Sequence, residues 1–328
     1  MTAHASADAP PPRPAGPDAW LHDLVRDVRA RIDAAIVARP PKLVPPKKVD
    51  VRWKLAKLGS LDLGAPLVTL TGADLDADGK GELYAITTRE VIALGMRGKK
   101  LEELGRVAFT GEQATPMPRD VVGAATVEGA ALVASVSSFA RSIRVTWKGK
   151  ALAATTGDAG FLLCAGEVAQ LAPGRNYFGD ATTGHYGARC RSGLVEPDGH
   201  PIRVRAQLSL ANRLEVSVER CAATNLGCQP AAKHEYGSAG VAFDIADVNR
   251  DGVPELIYTG AGAPGDPDLI KVVSLGDDDK KHAKLRKSFT AGGVAGIAVS
   301  DVDGNGVQDV VAAVRIVGAT RVDLWRIE

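Results

Sequence analysis

The chain lacks net charge: 40 Lys and Arg stand against 39 Asp and Glu in 328 residues. That balance removes the basic excess that drives binding to nucleic acid or to an anionic membrane surface. No apolar run approaches the roughly 18–20 residues of a membrane-spanning helix, so no transmembrane segment is expected. Catalytic signatures are missing too. There is no Gly-x-Ser-x-Gly elbow, no His-Glu-x-x-His, no P-loop and no Rossmann fingerprint. The six histidines are scattered, at His4, His22, His185, His200, His234 and His282. The first residues, Met1-Thr-Ala-His-Ala-Ser-Ala-Asp, have no signal-peptide core. They do carry the Ala-x-Ala spacing found beside a signal cleavage site, and are read as the start of a mature chain whose signal has been removed, with Met1 added.

Cysteine is scarce, and its placement is informative. Cys164, Cys190, Cys221 and Cys228 all lie in one section of the chain. An even, clustered set favours two disulfides formed in an oxidising compartment: periplasm, cell surface or secreted. Of the three connectivities open to four cysteines, the local pairing Cys221–Cys228 with Cys164–Cys190 is expected. A zinc site is disfavoured, because no Cys-x-x-Cys pair occurs and His185 and His234 lack ligand spacing.

What is present points to strands. Gly is abundant, at 36 residues, and short Val- and Thr-bearing runs recur between turn residues. Residues 1–17 are Pro- and Ala-rich and are expected to be disordered. Asp18 can cap a helix over 18–39, with Trp20, Leu21, Leu24, Val25, Val28, Ile32 and Ile36 on one apolar face. Pro40 and Pro41 end it, and 40–50 reads as a Pro-rich linker. The helix packs on its own domain or serves as a docking element for a partner.

From residue 51 the pattern is strand, turn, strand. Within it, three stretches share one acidic spacing. They are Asp74-Leu-Asp76-Ala-Asp78-Gly79-Lys80-Gly-Glu82, Asp247-Val-Asn249-Arg-Asp251-Gly252-Val253-Pro-Glu255 and Asp301-Val-Asp303-Gly-Asn305-Gly306-Val307-Gln-Asp309. Oxygen-bearing side chains fall at positions 1, 3, 5 and 9, with Gly at position 6. Such a loop can curl around a hard cation such as Ca2+, which takes six to eight oxygens at about 2.3–2.6 Å. Position 7 (Lys80, Val253 or Val307) would contribute only its backbone carbonyl. Asn at position 3 of the second loop and position 5 of the third lowers the charge, and with it the affinity. A lone Asp-Gly is often just a hairpin turn; three copies in the same strand context argue for metal, at up to three Ca2+ sites.

Asp247 to Asp301 is a step of 54 residues, and Asp74 to Asp247 is 173, a little over three such steps. Two further repeats with degenerate loops are therefore expected in between, over 121–157 and 161–235, the second enlarged by a cysteine-bearing insertion. A period near 50 with four strands per unit is the signature of a propeller blade. The last repeat runs out of chain after three strands, and Val51–Leu61 could supply the fourth and close the ring. The expected fold is all-β: a β-propeller of about five four-stranded blades over 51–328, with six or seven also compatible with the spacing.

An EF-hand would place its last carboxylate at position 12 with helices on both sides, and a dockerin would place a helix after the loop. The β-branched followers Leu256-Ile257-Tyr258 and Val310-Val311 fit neither. The loops resemble FG-GAP or VCBS repeats, the blades of integrin α-like propellers, over roughly 66–96 and 241–328. In that family the ion is structural. The resemblance implies a non-catalytic, secreted calcium-binding scaffold that recognises protein or glycan, in adhesion or as an envelope-complex subunit. Some such propellers act on carbohydrate as lectins or polysaccharide lyases. For that alternative, Tyr177, His185, Tyr186 and Arg189 form the candidate patch. The run from Lys280 to Lys287 is read as a solvated strand.

Overall fold

The computed structural model describes residues 24–29, 47–98, 100–113, 121, 123–159, 161–164, 167–169, 185–209, 211–221, 227–262, 266–276, 283–289, 292–316 and 321–327. The chain divides into two compact units, Met1–Lys42 and Leu43–Glu328. In the first, residues 24–29 are α-helical, and Leu24, Val25 and Val28 are exposed. The remainder of the expected helix 18–39 lies outside the described residues.

The second unit is all-β, with five four-stranded blades in a propeller arrangement. Blade 1 is β2 (Leu67–Ala73), β3 (Glu82–Thr87), β4 (Glu90–Arg97) and β5 (Lys100–Ala108). Blade 2 is β6 (Gly123–Glu128), β7 (Ala131–Val136), β8 (Arg141–Lys148) and β9 (Ala151–Ala159). A two-stranded pair, β10 (Phe161–Cys164) and β11 (Glu167–Ala169), comes next. Blade 3 is β12 (His185–Val195), β13 (Pro201–Ser209), β14 (Leu214–Cys221) and β15 (Cys228–Tyr236). Blade 4 is β16 (Ala239–Ala246), β17 (Glu255–Gly260), β18 (Asp268–Ser274) and β19 (Leu285–Phe289). Blade 5 combines β20 (Val294–Ser300), β21 (Asp309–Arg315) and β22 (Arg321–Ile327) with β1 (Leu55–Asp62) from the far end of the chain.

The expected closure by the N-terminal strand is observed. β1 pairs antiparallel with β22 from Leu55 opposite Ile327 to Asp62 opposite Arg321. Asp323 secures the seam by accepting from Lys57 Nζ at 2.7 Å and Ser60 Oγ at 2.5 Å. The pairing removes what would otherwise be an open sheet edge.

The core lies between blades rather than within them. One apolar cluster joins blades 1 and 5 through Leu70, Leu83, Ala298 and Leu324. Others join blades 1 and 2, 3 and 4, and 4 and 5. Strands covered on both faces carry near-continuous apolar runs: β7 and β20 are buried along their whole length. Strands with one open face alternate, as β13 does. Where the inner strands of blades 5 and 1 meet, only glycine fits. A Cβ on Gly72 would lie 2.6 Å from Ser300 Cβ, and one on Gly296 would lie 2.7 Å from Leu70 Cβ.

Cys221 and Cys228 sit directly opposite each other across β14 and β15 and form a disulfide, as expected. Cys190 is also disulfide-bonded. The side chain of Cys164, its expected partner, lies outside the described residues.

Candidate metal centre

Each acidic loop leaves the inner strand of its blade, so all three open on the same face of the ring. Asp74–Glu82 joins β2 to β3, Asp247–Glu255 joins β16 to β17, and Asp301–Asp309 joins β20 to β21. They share one backbone. Positions 4 and 6 are both left-handed: Ala77 and Gly79 at φ 60° and 85°, Arg250 and Gly252 at 56° and 82°, Gly304 and Gly306 at 72° and 81°. Glycine reaches this region freely, but Ala77 and Arg250 do so against a steric cost.

Four hydrogen bonds recur and hold that shape. The position-5 N–H donates to the position-3 side chain, at 3.1 Å from Asp78 to Asp76, 3.1 Å from Asp251 to Asn249 and 3.2 Å from Asn305 to Asp303. The position-6 N–H donates to the position-1 carboxylate, at 3.1 Å from Gly79 to Asp74, 2.9 Å from Gly252 to Asp247 and 2.7 Å from Gly306 to Asp301. The position-7 N–H donates to the position-5 side chain, at 2.8 Å from Lys80 to Asp78, 2.9 Å from Val253 to Asp251 and 2.7 Å from Val307 to Asn305. The position-2 N–H donates to the position-9 carboxylate, at 3.0 Å from Leu75 to Glu82, 2.8 Å from Val248 to Glu255 and 3.2 Å from Val302 to Asp309. Leu75, Val248 and Val302 are buried, which ties each loop to the core and carries its closing carboxylate inward.

The loops differ in how their negative charge is met. In the first, Asp74, Asp76, Asp78 and Glu82 each offer one oxygen within 4.8 Å of the others. Two oxygens held 2.3–2.6 Å from one ion can be at most about 5 Å apart, so this donor set fits a Ca2+-sized cation. No Lys or Arg among the described residues pairs with these carboxylates. Glu82 is 3% exposed and accepts instead from the Tyr84 hydroxyl at 2.8 Å, which in turn accepts from Trp147 Nε1 at 2.9 Å. Burial pushes its carboxyl up to about 7, opposed by the Leu75 and Tyr84 hydrogen bonds and reinforced by Asp76 and Asp74.

In the third loop Asp301, Asp303 and Asp309 converge within the same distance. Here Arg326 Nη1 on β22 reaches Asp303 at 2.9 Å and Asp309 at 3.6 Å. Burial pushes the Asp309 carboxyl up to about 6, with Arg326 pulling the other way. In the second loop Asp247, Asp251 and Glu255 do not form such a group. Glu255, fully buried, meets Lys284 Nζ at 2.6 Å. Asn249 turns its Nδ2 toward Asp251 Oδ2 at 2.9 Å, putting a donor where a metal ligand would have to be an acceptor. Burial pushes Glu255 up to about 7, against the pull of Lys284.

The loops also touch one another and the segment that precedes β1. Gly81 N–H donates to Asp301 O at 2.6 Å, and the Lys80 stem lies across Gly304. A Cβ on Gly252 would meet Pro197, in the β12–β13 turn that occupies the equivalent place in blade 3. Val49 N–H donates to Asn249 O at 2.7 Å. The β12–β13 turn groups Glu196, Asp198 and His200, but Glu196 is held by Arg220 at 2.6 Å and His200 by Asp198 at 2.9 Å.

The five candidate ligand positions of each loop lie together at the β2–β3, β16–β17 and β20–β21 connections; nothing in the sequence signalled the groups from other strands that meet them. Those groups are Lys284, Arg326 and Trp147, the last reaching Tyr84 on β3. The Lys280–Lys287 run, read as solvated, contributes Lys284 to a half-buried ion pair. Of the carbohydrate patch, Tyr177 lies outside the described residues, as do the side chains of His185 and Tyr186. Arg189 is turned inward: its Nη2 donates to Thr69 Oγ1 on β2 at 2.9 Å. Beside it, Arg191 forms a two-point ion pair with buried Asp244, at 3.2 and 2.8 Å.

No protein-family profile matches the chain, and no curated protein does. Among solved structures, S. cerevisiae core factor is similar at 9% identity and a TM-score of 0.35. The match covers 81% of this chain and 47% of that one, so the chain spans about half the length of the solved chain it matches. At that identity and score the likeness carries no argument.

Proposed function

We propose that this protein is a non-catalytic, calcium-stabilised β-propeller of the FG-GAP or VCBS type, working outside the cytoplasm as a scaffold that recognises protein or glycan. The observation that carries the reading is the shared loop: one backbone, one set of four hydrogen bonds, and carboxylate oxygens gathered within the span of a single Ca2+ in the first and third copies. Asp74, Asp76, Asp78 and Glu82 would hold one ion, with the Lys80 carbonyl. Asp301, Asp303, Asn305 and Asp309 would hold another, with the Val307 carbonyl. The ion would offset carboxylate charge that folding has taken out of water. For a dissociation constant near 10⁻⁴ M and about 1 mM Ca2+, mass action gives roughly 1.4 kcal/mol per site.

Such calcium levels are found outside the cytoplasm, where the Cys221–Cys228 disulfide is also at home. Arg189 and Arg191 are taken up by Thr69 and Asp244, which argues against their use on a sugar. Partner recognition is assigned to the parts that lack cation loops, the helix at 18–39 and the cysteine-bearing section. Thermal melts of the full chain in 1 mM Ca2+ and in chelator test the metal. A rise of several degrees with Ca2+ is expected, and identical curves would sink the reading. Pull-downs with and without residues 18–39 test the docking element.

A further inference from the structure

We infer that Lys284 is a built-in cation that takes the place of a metal ion in the second loop, so that only the first and third loops respond to divalent cation. The inference rests on the calcium reading above and narrows it. Two independent contacts support it. The Lys284 ammonium lies 2.6 Å from Glu255 Oε1, the oxygen left over once Val248 N–H has taken Oε2 at 2.8 Å. The Asn249 amide is oriented by accepting from Asp251 N–H at 3.1 Å, which leaves its Nδ2 to donate to Asp251 Oδ2. A lysine ammonium on one carboxylate and an amide N–H on another satisfy the oxygens that an ion would otherwise gather.

The lysine is also held in place. Its backbone N–H donates to Val272 O at 2.8 Å, and its Nζ stands 5.3 Å from the centre of the Trp53 ring. A cation over an aromatic face is stabilised there. Trp53 belongs to the same segment as Val49, which donates to Asn249 O. The chain entering β1 is thus fastened to the loop whose closing carboxylate, Glu255, is paired with Lys284. Its anchorage would persist when calcium is withdrawn, while the other two loops lose their ions.

Equilibrium dialysis of the full chain against radioactive calcium, with chelator melts alongside, tests the assignment. Wild type should bind two ions. Asp74→Asn should bind one, and Asp247→Asn should still bind two. Lys284→Met should melt several degrees below wild type in chelator, and adding Glu255→Gln should recover most of that loss, because it removes the carboxylate left without a partner. Three ions in wild type, falling to two in Asp247→Asn, would overturn the inference while leaving the calcium reading intact. No bound calcium in wild type would overturn the calcium reading. A Lys284→Met melt equal to wild type in chelator would overturn the role of Lys284. The Asp247→Asn arm stands even if Lys284→Met does not fold.

Discussion

Replacing Glu82 with Gln should make the calcium-free protein more stable at pH 8 and flatten its dependence on pH. Glu82 is buried, has no Lys or Arg beside it among the described residues, and ionises only near pH 7 in the fold against 4.5 in the unfolded chain. A carboxyl whose folded value is raised contributes stability below the unfolded value, and that contribution is lost as the pH climbs through about 7. At about 1.36 kcal/mol per pH unit, the interval amounts to about 3 kcal/mol between pH 4.5 and 8. A Gln oxygen can still accept from Leu75 N–H and Tyr84 O–H, so the two native bonds survive. The new amide N–H2 would lack a good partner, at about 1–2 kcal/mol. The expected net gain at pH 8 is therefore about 1–2 kcal/mol, with none at pH 5. Urea unfolding in chelator at both pH values measures it. Glu255 and Asp309 also carry raised values, but they are common to both proteins and cancel in the comparison. Parallel pH profiles for wild type and Glu82→Gln would refute the reasoning. In 1 mM Ca2+ the difference should shrink to within about 1 kcal/mol of zero, since wild type would gain roughly 1.4 kcal/mol at this site and the variant would lack a charged ligand for the ion.

Gly72→Ala should lower stability by about 1–3 kcal/mol, read from the urea midpoint, because the new methyl would overlap Ser300 Cβ and Val299 O in the neighbouring blade. Changing Cys221 and Cys228 together to Ser should cost about 2 kcal/mol through the short loop they close, seen as a melting temperature below that of wild type under non-reducing conditions, where the Cys190 disulfide stays intact in both. Removing residues 1–42 should leave the melting temperature of the propeller unchanged. Removing 1–62 should abolish cooperative unfolding and promote association, detected by calorimetry and light scattering, because β22 then has an open edge.

The blades were legible because they obey local rules. Short β-branched runs between turn residues marked the strands, and the 54-residue step between Asp247 and Asp301 marked the repeat. The three-strand remainder at the C-terminus pointed to closure by β1. The acidic loops were legible for the same reason: each sits within nine consecutive residues. What could not be read came through space. Tyr84 pairs with Trp147, 63 residues on; Arg326 reaches back 23 residues to Asp303; and Lys284 lies 29 beyond Glu255. These cross-strand arrivals make three loops of one pattern electrostatically unequal. The left-handed conformations of Ala77 and Arg250 were also hidden, since neither residue type advertises them.

The seam between β1 and β22 bears on biosynthesis. Lys57 and Asp323, which meet across it, are separated by 266 residues in sequence. Joining segments so far apart costs about 5 kcal/mol of loop-closure entropy. During synthesis, β1 is the first of the propeller's strands to emerge and β22 the last. Blades 1 to 4 can assemble while β1 waits unpaired, and the ring can close only once β22 is free. A propeller lacking β22 would leave β1 and β21 with open edges, so closure acts as a check that all five blades have been made.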